Sequence, residues 1–412
     1  MVRKSIISEH GIFQDEIKDI VLDTEPHEKY LGLHFYFNNY TLDKEIRAYY
    51  YVGLCWLKPK EHFLQVNPKI DNLNYLQMFI TCLSNPTVSK HFDKSYKIFF
   101  HEPLIPINSS KIDITPLLIA HFLIIIKRIC KKGLKKGYVT INRNLSGQVK
   151  GKPDIKNNIK KNLTTNRQDK CFCNYQIHTF DCMENRILKS ALQQVGRFLN
   201  NMPNKNELIN LFNFSKSSFA SVSETKINST DFKNIKHSAF YPEYKQALDL
   251  ALMIFKRLGY NPQQNDNKLK NSPPFYIDMP ELFERYVETK LRKENNIDLK
   301  VGYSHNNSET KSSSWQLRPD FLMPKRIIDA KYKDWYLKKS DIDFKDDFQQ
   351  LSLYSRTKKI REKIAIEFDE NPDLIFIYPL QNGSENIDLG NIVEETEFYK
   401  FFKKGIKLPT ND

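Results

Sequence analysis

The segment from Arg318 to Lys333 constrains this 412-residue chain more than any other, because it alternates short apolar runs with isolated charges. The Pro-Lys pair at 324–325 predicts a turn that joins two short strands. Side chains alternate along a strand, so Asp329 and Lys331 face one side together, and Asp320 lies on the preceding run. Two carboxylates can bind a hard divalent cation, and an adjacent ammonium can orient or activate a water. The segment therefore predicts either a site for phosphodiester cleavage or a surface hairpin with scattered charges.

A helix is predicted upstream of this hairpin, from Met279 to Asn295. Its apolar residues recur at helical spacing and form one stripe. Glu284 falls at the border of the stripe, whereas Glu281 and Glu288 are predicted to point outward. A glutamate at the border can reach a site beside the core, as a third oxygen ligand or as a base that orients water. The alternative interpretation is an ordinary glutamate at the edge of a helix.

A second helix is predicted downstream, from Asp346 to Lys359, with Gln350 and Tyr354 one turn apart on one face. The continuous apolar run 374–378 is typical of a buried strand, and Pro379 is predicted to end it. The predicted order is thus helix, strand, turn, strand, helix, strand.

This order of elements and its polar residues resemble the PD-(D/E)xK nuclease superfamily. The chain is most similar to the McrC family, the nuclease subunit of McrBC-type modification-dependent restriction systems. The similar segments extend over some 300 residues: Tyr51–Gly53, Val66–Ile70, Gly133–Tyr138, Asn185–Lys189, Asp278–Tyr286, Leu317–Asp320, Asp329–Lys333 and the helix of Gln350.

The resemblance implies a Mg²⁺-dependent DNA endonuclease. Its implied catalytic residues are Asp320, Asp329, Lys331 and Glu284, with Asp320, Asp329 and Glu284 as metal ligands and Gln350 and Tyr354 as accessory residues that support the site or contact DNA. Lys331 would position or activate the attacking water.

The resemblance also implies a partner, a McrB-like AAA+ GTPase that recognises and translocates DNA carrying modified bases. In that family the N-terminal half docks into the partner's ring and stimulates its GTPase. The sequence contains no Gly-x-x-x-x-Gly-Lys-Ser/Thr motif, so GTP is expected to bind the partner and not this chain.

The formal net charge of +14 is concentrated in one stretch. Residues 127–170 contain 14 Lys and Arg against two acids, whereas residues 275–412 contain 23 against 25. Phosphate neutralisation dominates non-specific DNA affinity, so the C-terminal region alone should bind DNA weakly. The basic stretch is either a solvated surface or a DNA- or partner-binding segment, whose candidate residues are Lys131, Lys132, Lys135, Lys136, Arg143, Lys150 and Lys152.

The predicted fold class is α/β, or α+β overall. Residues 1–260 form the predicted partner-docking region, divided into a mainly β module (1–110), a helix with a basic loop (111–180) and a helical part (181–260). Residues 275–412 form the predicted restriction-endonuclease-like domain, with a boundary between Pro262 and Pro274. The longest apolar run, 117–126, is about half a membrane span, and the N-terminus lacks an apolar signal region, so we expect a cytoplasmic protein without membrane contact.

Two other functions are compatible with the sequence. The chain could be a non-catalytic ring adaptor that activates a partner GTPase. It could also be a stand-alone nuclease that grips DNA with its own basic segment. Metal-dependent cleavage by the isolated chain would favour the second alternative.

Overall fold

A computed structural model of the chain shows a mixed α/β architecture, which confirms the predicted fold class. The structure describes residues 2–12, 34–37, 44–85, 87–88, 95–99, 102–107, 115–200, 206–228, 230–235, 239–258, 270–294, 299–301, 305–306, 316–333, 345–367, 369–380, 384, 386–387, 389, 394–395 and 400–410. Within the described residues, none of the helices combines the length and the apolar composition that crossing a membrane requires.

The α-helices in the described part of the chain are α1 (Tyr75–Ser84), α2 (Thr115–Lys132), α3 (Ile155–Asn158), α4 (Met183–Asn200), α5 (Asn206–Ser218), α6 (Pro242–Leu258), α7 (Met279–Glu294), α8 (Lys345–Arg356) and α9 (Lys358–Lys363). A π-helical turn at Ile159–Leu163 follows α3, and Asp231–Asn234 form a 3₁₀ turn. The predicted helix 279–295 is confirmed as α7, which ends one residue earlier. The predicted helix 346–359 differs, because it divides into α8 and α9 at Thr357.

The strands are β1 (Arg3–Ser8), β2 (His34–Phe37), β3 (Lys44–Arg47), β4 (Tyr51–Lys58), β5 (His62–Asn67), β6 (Tyr96–Ile98), β7 (Ile105–Ile107), β8 (Gly137–Ser146), β9 (Lys152–Pro153), β10 (Lys170–Thr179), β11 (Lys270–Ser272), β12 (Phe275–Asp278), β13 (Lys300–Val301), β14 (His305–Asn306), β15 (Gln316–Leu317), β16 (Phe321–Met323), β17 (Arg326–Ala330), β18 (Asp373–Leu380), β19 (Glu394–Glu395) and β20 (Phe401–Lys407). Two of them, β16 and β17, are the predicted hairpin. The predominance of strands before residue 110 agrees with the predicted β module.

The chain divides into two compact units whose limits differ from the predicted domains. The first unit combines Met1–Ile112 with Asn271–Asp412, and the second unit is Asp113–Lys270. The physical reason is strand β12, which the prediction assigned to the nuclease domain but which pairs with β4 and β6 of the N-terminal sheet. The proposed boundary between Pro262 and Pro274 lies mostly outside the described residues. The docking role of residues 1–260 stays a prediction.

The N-terminal sheet of the first unit has the order β1-β5-β4-β12-β6. Strand β1 runs parallel to β5, and the other neighbours are antiparallel. Gly53 lies where β4 and β12 approach closely, since a Cβ there would lie 2.1 Å from the carbonyl oxygen of Phe275. The absence of a side chain at Gly53 therefore permits β12 to join the sheet.

The second sheet of the first unit has the order β13-β16-β17-β18-β20-β19. The β16–β17 pair is antiparallel, and its turn is made by Lys325 at φ 61°, as the sequence predicts. Strand β18 runs parallel to β17 and continues through Pro379 to Leu380, beyond the predicted end. The β17–β18 pairing stops at Ile377, so among the described strands Pro379 pairs with β20 alone. A proline, which lacks the backbone N–H, is better tolerated where a strand is paired on one side.

One face of this sheet is covered by α8 and α9. Their contact forms a core of buried side chains, which are Leu322, Ile327, Phe348, Leu351, Tyr354, Ile360, Ile364, Leu374, Phe376, Tyr378 and Phe401. Because α8 packs through these residues, its polar positions are fixed relative to the end of β17.

The second unit contains a helical part and a β-ribbon. Helix α2 packs against α5 and α6, and its interior is apolar from Leu117 to Ile126 with a buried His121. Gly133 follows α2 at φ 96°, a conformation that favours glycine. Strands β8 and β10 pair over ten residues as an antiparallel ribbon, which carries part of the basic segment.

Candidate active site

The β16–β17 hairpin places two carboxylates side by side. Asp320 precedes β16, and its Oδ2 accepts a hydrogen bond of 2.8 Å from the backbone N–H of Ala330. Asp329 lies in β17 and is 2% exposed. This hydrogen bond connects Asp320 to the backbone next to Asp329 and holds both acidic residues at one end of the hairpin. The alternation of side chains along the two strands predicts this position.

Helix α7 supplies the third carboxylate. Burial raises the pKa of Glu284 to about 7, although the guanidinium of Arg285, whose Nη1 lies 4.0 Å from Glu284 Oε1, opposes this rise. The predicted outward position of Glu288 is wrong, because Glu288 is 2% exposed and pairs with Arg285 at 3.1 Å. The reason is that α7 also packs against α1, so it is buried on more than one face. The side chain of Glu281, which pairs with Arg285 at 2.7 Å, is 20% exposed.

Lys331 forms the cationic part of the site. Its Nζ lies 2.7 Å from Asp329 Oδ2 and donates to Gln350 Oε1 at 2.8 Å. Burial lowers the pKa of Lys331, but the carboxylates of Asp329 and Asp347 outweigh burial and raise the pKa above its ordinary value. The neighbouring carboxylates therefore favour the ammonium form of Lys331.

Helix α8 supports this ammonium from the other side. Gln350 donates to the hydroxyl of Tyr354 at 2.8 Å, and that hydroxyl donates to the carbonyl oxygen of Arg318 at 3.3 Å. This chain of hydrogen bonds connects Lys331 to the residue that precedes the Pro319-Asp320 pair. Burial raises the pKa of Tyr354, which keeps the hydroxyl protonated as a donor.

Glu284, Asp320 and Asp329, together with Lys331, are called the carboxylate site below. Burial and the charges of Asp329 and Glu284 raise the pKa of Asp320 well above its usual range. Such a shift means that ionising all three groups together is unfavourable unless a positive charge is added. Among the described residues, no group of three or more His, Cys, Asp or Glu side chains is placed so that it could hold a metal ion by itself.

The structure thus brings all six predicted site residues of the C-terminal region together. The seven predicted basic residues lie in the second unit. Lys132 pairs with Glu243, and Lys135 pairs with Glu184 at 2.5 Å, so their charges are partly neutralised within that unit. The other five are exposed, and two of them lie over aromatic rings; these five are Lys131, Lys136, Arg143, Lys150 and Lys152.

Two residues at the site escaped the sequence analysis. Asp347 in the first turn of α8 is 7% exposed, and its Oδ1 lies 3.5 Å from Lys331 Nζ. Lys333 pairs with Asp347 Oδ2 at 2.5 Å. A signal was present, because Asp347, Gln350 and Tyr354 lie at helical spacing i, i+3 and i+7 on one face.

These features define a mixed α/β protein with a buried acidic and lysine centre at a sheet hairpin. The sequence profile of the family described as "McrBC 5-methylcytosine restriction system component" matches residues 46–370. The chain belongs to this McrBC family. A search of curated proteins finds no match.

Two solved structures resemble the chain at low similarity. One is titled "Refined half-complex from tetradecameric assembly of Thermococcus gammatolerans McrB AAA+ hexamers with bound McrC", with 17% identity, a TM-score of 0.39, and coverage of 98% of this chain and 94% of that chain. The other is titled "Cryo-EM structure of the Thermococcus gammatolerans McrBC complex", with 15% identity, a TM-score of 0.34, and coverage of 72% and 89%. The family assignment rests on the sequence profile and not on these two structures.

Proposed function

We propose that the chain is the endonuclease subunit of a McrBC-like, GTP-dependent restriction complex. It would hydrolyse DNA phosphodiesters with Mg²⁺ and stimulate the GTPase of an AAA+ partner. The observation that carries the proposal is the carboxylate site, because one buried and two half-buried carboxylates beside an ammonium suit a metal-assisted hydrolysis and have no evident packing role. The order of α7, β16, β17, α8 and β18 supports a PD-(D/E)xK type of nuclease domain.

The donor set suits Mg²⁺. Protein sites for Mg²⁺ commonly use one or two carboxylates, with waters and substrate phosphates as the remaining ligands, so a complete protein cage is not required. Asp329 Oδ2 is buried and accepts no hydrogen bond of good geometry among the described residues, although Lys331 Nζ lies 2.7 Å away. We infer that Asp320 and Asp329 hold the ion and that Glu284 binds it or one of its waters. When bound, Mg²⁺ would polarise the scissile phosphate and lower the pKa of the attacking water.

The protein groups would contribute orientation and charge. Because Lys331 is held as an ammonium, it would stabilise the negative charge that develops on the phosphate and orient the attacking water, without removing its proton. Gln350 fixes the lysine amine, and Tyr354 fixes Gln350. A preorganised cation of this kind lowers the barrier because no reorganisation is needed during the reaction.

The proposed partner is a McrB-like AAA+ GTPase that delivers DNA. The substrate that tests this proposal is DNA carrying 5-methylcytosine. The family description names a component of a restriction system, which implies further components. The chain contains no P-loop motif, and residues 275–412 carry 23 Lys and Arg against 25 acids. A cutting region without excess positive charge needs another surface to bring DNA to it.

The test is a cleavage assay with the full chain, a McrB-like partner, GTP, Mg²⁺ and 5-methylcytosine DNA. Asp329→Asn keeps the shape of the side chain and removes its charge. We expect cleavage to fall about 100-fold or more, since metal coordination contributes several kcal/mol to the transition state. Stimulation of the partner's GTPase should persist. Asp346→Asn is the matched control, because Asp346 is exposed in the same unit.

The same assay separates the alternatives. If Asp329→Asn cuts at the wild-type rate, the site assignment is wrong. If neither protein cuts but both stimulate GTP turnover, the chain is a non-catalytic adaptor. If the isolated wild-type chain cuts DNA with Mg²⁺ as fast as the complex does, the chain is a stand-alone nuclease.

A further inference from the structure

A buried carboxylate joins the two lysines that follow β17. The side chains of Lys331 and Lys333 project to the same side, and Asp347 lies between them. Its Oδ1 is 3.5 Å from Lys331 Nζ, and its Oδ2 is 2.5 Å from Lys333 Nζ. Asp347 is 7% exposed, so these ion pairs are poorly screened by solvent.

We propose that Asp347 is a positioning residue that holds the Lys331 ammonium against Asp329. The inference rests on the proposed nuclease function and adds to it a residue that does not touch the substrate. Asp347 would act through Lys331, whose charged amine must lie at a fixed place beside the scissile phosphate. A displacement of about 1 Å at such a group can cost about 100-fold in rate.

The geometry of Lys331 supports this role. A lysine amine has three N–H donors on a flexible four-carbon stem, so one contact does not fix its position. Around Lys331 Nζ, Asp329 Oδ2 lies at 2.7 Å, Gln350 Oε1 at 2.8 Å and Asp347 Oδ1 at 3.5 Å. One of these acceptors comes from β17 and two come from α8. The amine is therefore held between a strand and a helix.

Helix α8 is itself well fixed. Phe348 and Leu351 are 6% and 0% exposed in the core beneath the sheet, so the helix cannot easily rotate. Asp347 occupies the first turn of α8, where the helix dipole favours a negative charge. A carboxylate at this position is thus held in place by the helix, as a lysine-positioning group requires.

Lys333 offers a competing explanation for Asp347. In this explanation the carboxylate serves only to neutralise Lys333, whose side chain is 33% exposed. In that case the loss of Asp347 would be harmless once Lys333 is also neutral. Under the proposal, Lys333 holds Asp347 Oδ2, but Asp347 still positions Lys331 when Lys333 is replaced by a neutral residue.

The test measures kcat and KM for cleavage by the full complex in four proteins: wild type, Asp347→Asn, Lys333→Met and the double variant. We expect Asp347→Asn to lower kcat by about 10- to 100-fold, with KM and partner GTPase stimulation nearly unchanged. The double variant should be slower than Lys333→Met by a similar factor. Asp347→Glu, which retains the charge, should be faster than Asp347→Asn. Asp346→Asn, in the same helical turn, should cut as wild type does.

Three results would overturn the inference. The first is an unchanged kcat in Asp347→Asn. The second is a double variant as fast as Lys333→Met, which would make Asp347 a counter-charge for Lys333 alone. The third is an Asp347→Glu protein that is folded, judged by its melting temperature and GTPase stimulation, and slower than Asp347→Asn. If wild type does not cut while still stimulating GTP turnover, the proposed nuclease function fails and this inference fails with it.

Discussion

Asp278 provides a quantitative test of the electrostatics around the helix that carries Glu284. It ends β12, and its Oδ1 accepts a hydrogen bond of 3.0 Å from the backbone N–H of Glu281 in α7. Burial raises the pKa of Asp278 to about 6, and the charge of Glu281 adds to this rise. Asp278→Asn keeps an oxygen that accepts the same hydrogen bond, and asparagine is as good at a helix N-terminus as aspartate. The substitution therefore removes mainly the cost of the buried charge.

The sign and size of the effect follow from the two pKa values. In the unfolded chain the carboxyl group ionises near pH 3.8, whereas in the folded protein it remains protonated up to pH 6. The contribution to stability is therefore fully present below about pH 4 and is lost as the pH rises to 6. Two pKa units correspond to about 3 kcal/mol, and solvent screening at this half-buried position reduces the expected value to about 2 kcal/mol.

Urea unfolding followed by tryptophan fluorescence measures this effect, because Trp56 is buried in β4, the strand that pairs with β12. At pH 7, Asp278→Asn should be more stable than wild type by about 2 kcal/mol, which corresponds to about 4 to 8 °C in melting temperature. The difference should shrink between pH 6 and pH 4. Asp346→Asn, an exposed control, should show no such trend. A difference between Asp278→Asn and wild type that is independent of pH would refute the reasoning.

Three further predictions concern other parts of the chain. Hydrogen bonding from Arg186 holds the pKa of Asp181 well below its usual range. The stability of the wild type should therefore decrease when the pH is lowered below about 4, and Asp181→Asn should lose this acid dependence, as measured by circular dichroism. Gly53→Ala should destabilise the first unit by about 3 kcal/mol or more in urea unfolding, because its Cβ would clash with the neighbouring strand. Lys69→Met removes the amine that donates to the carbonyl oxygen of Tyr332 at 2.6 Å, so cleavage should slow several-fold while GTPase stimulation persists.

Each of these predictions fails on a different result. An Asp181→Asn protein with the same acid transition as wild type would contradict the first. A Gly53→Ala protein of wild-type stability would mean that β4 and β12 can separate without cost. An unchanged cleavage rate in Lys69→Met would show that the N-terminal sheet does not position the segment after β17.

The hairpin of the carboxylate site could be predicted because its information is local. Alternation of side chains places Asp329 and Lys331 on one side, and the Pro-Lys turn at 324–325 is where the structure has it. Helix α7 was equally predictable from its apolar stripe, and the border position of Glu284 follows from the same period. These assignments need no knowledge of distant neighbours.

Long-range contacts decided the features that the sequence could not predict. Strand β12 is adjacent in sequence to α7 but pairs with β4, more than 200 residues earlier, and no local pattern encodes that choice. Glu288 was placed outward because a single apolar stripe predicts one buried face, whereas α1 covers another. The helical spacing of Asp347 with Gln350 and Tyr354 indicates a shared face, but the acidic stretch around Asp347 is typical of a solvated surface, and its burial depends on the packing of α8.

The distribution of charge follows the two compact units. The second unit, residues 113–270, contains 27 Lys and Arg against 11 Asp and Glu, which gives it a net charge of +16. Because the net charge of the whole chain is +14, the net charge of the first unit is −2. The carboxylate site thus belongs to a unit whose net charge gives no general attraction for DNA, so most of the phosphate contacts that strengthen DNA binding are expected to come from elsewhere. Under the proposed function, such a site would cleave DNA only when another surface delivers the DNA to it. The salt dependence of cleavage should therefore report the delivering surface and not the carboxylate site.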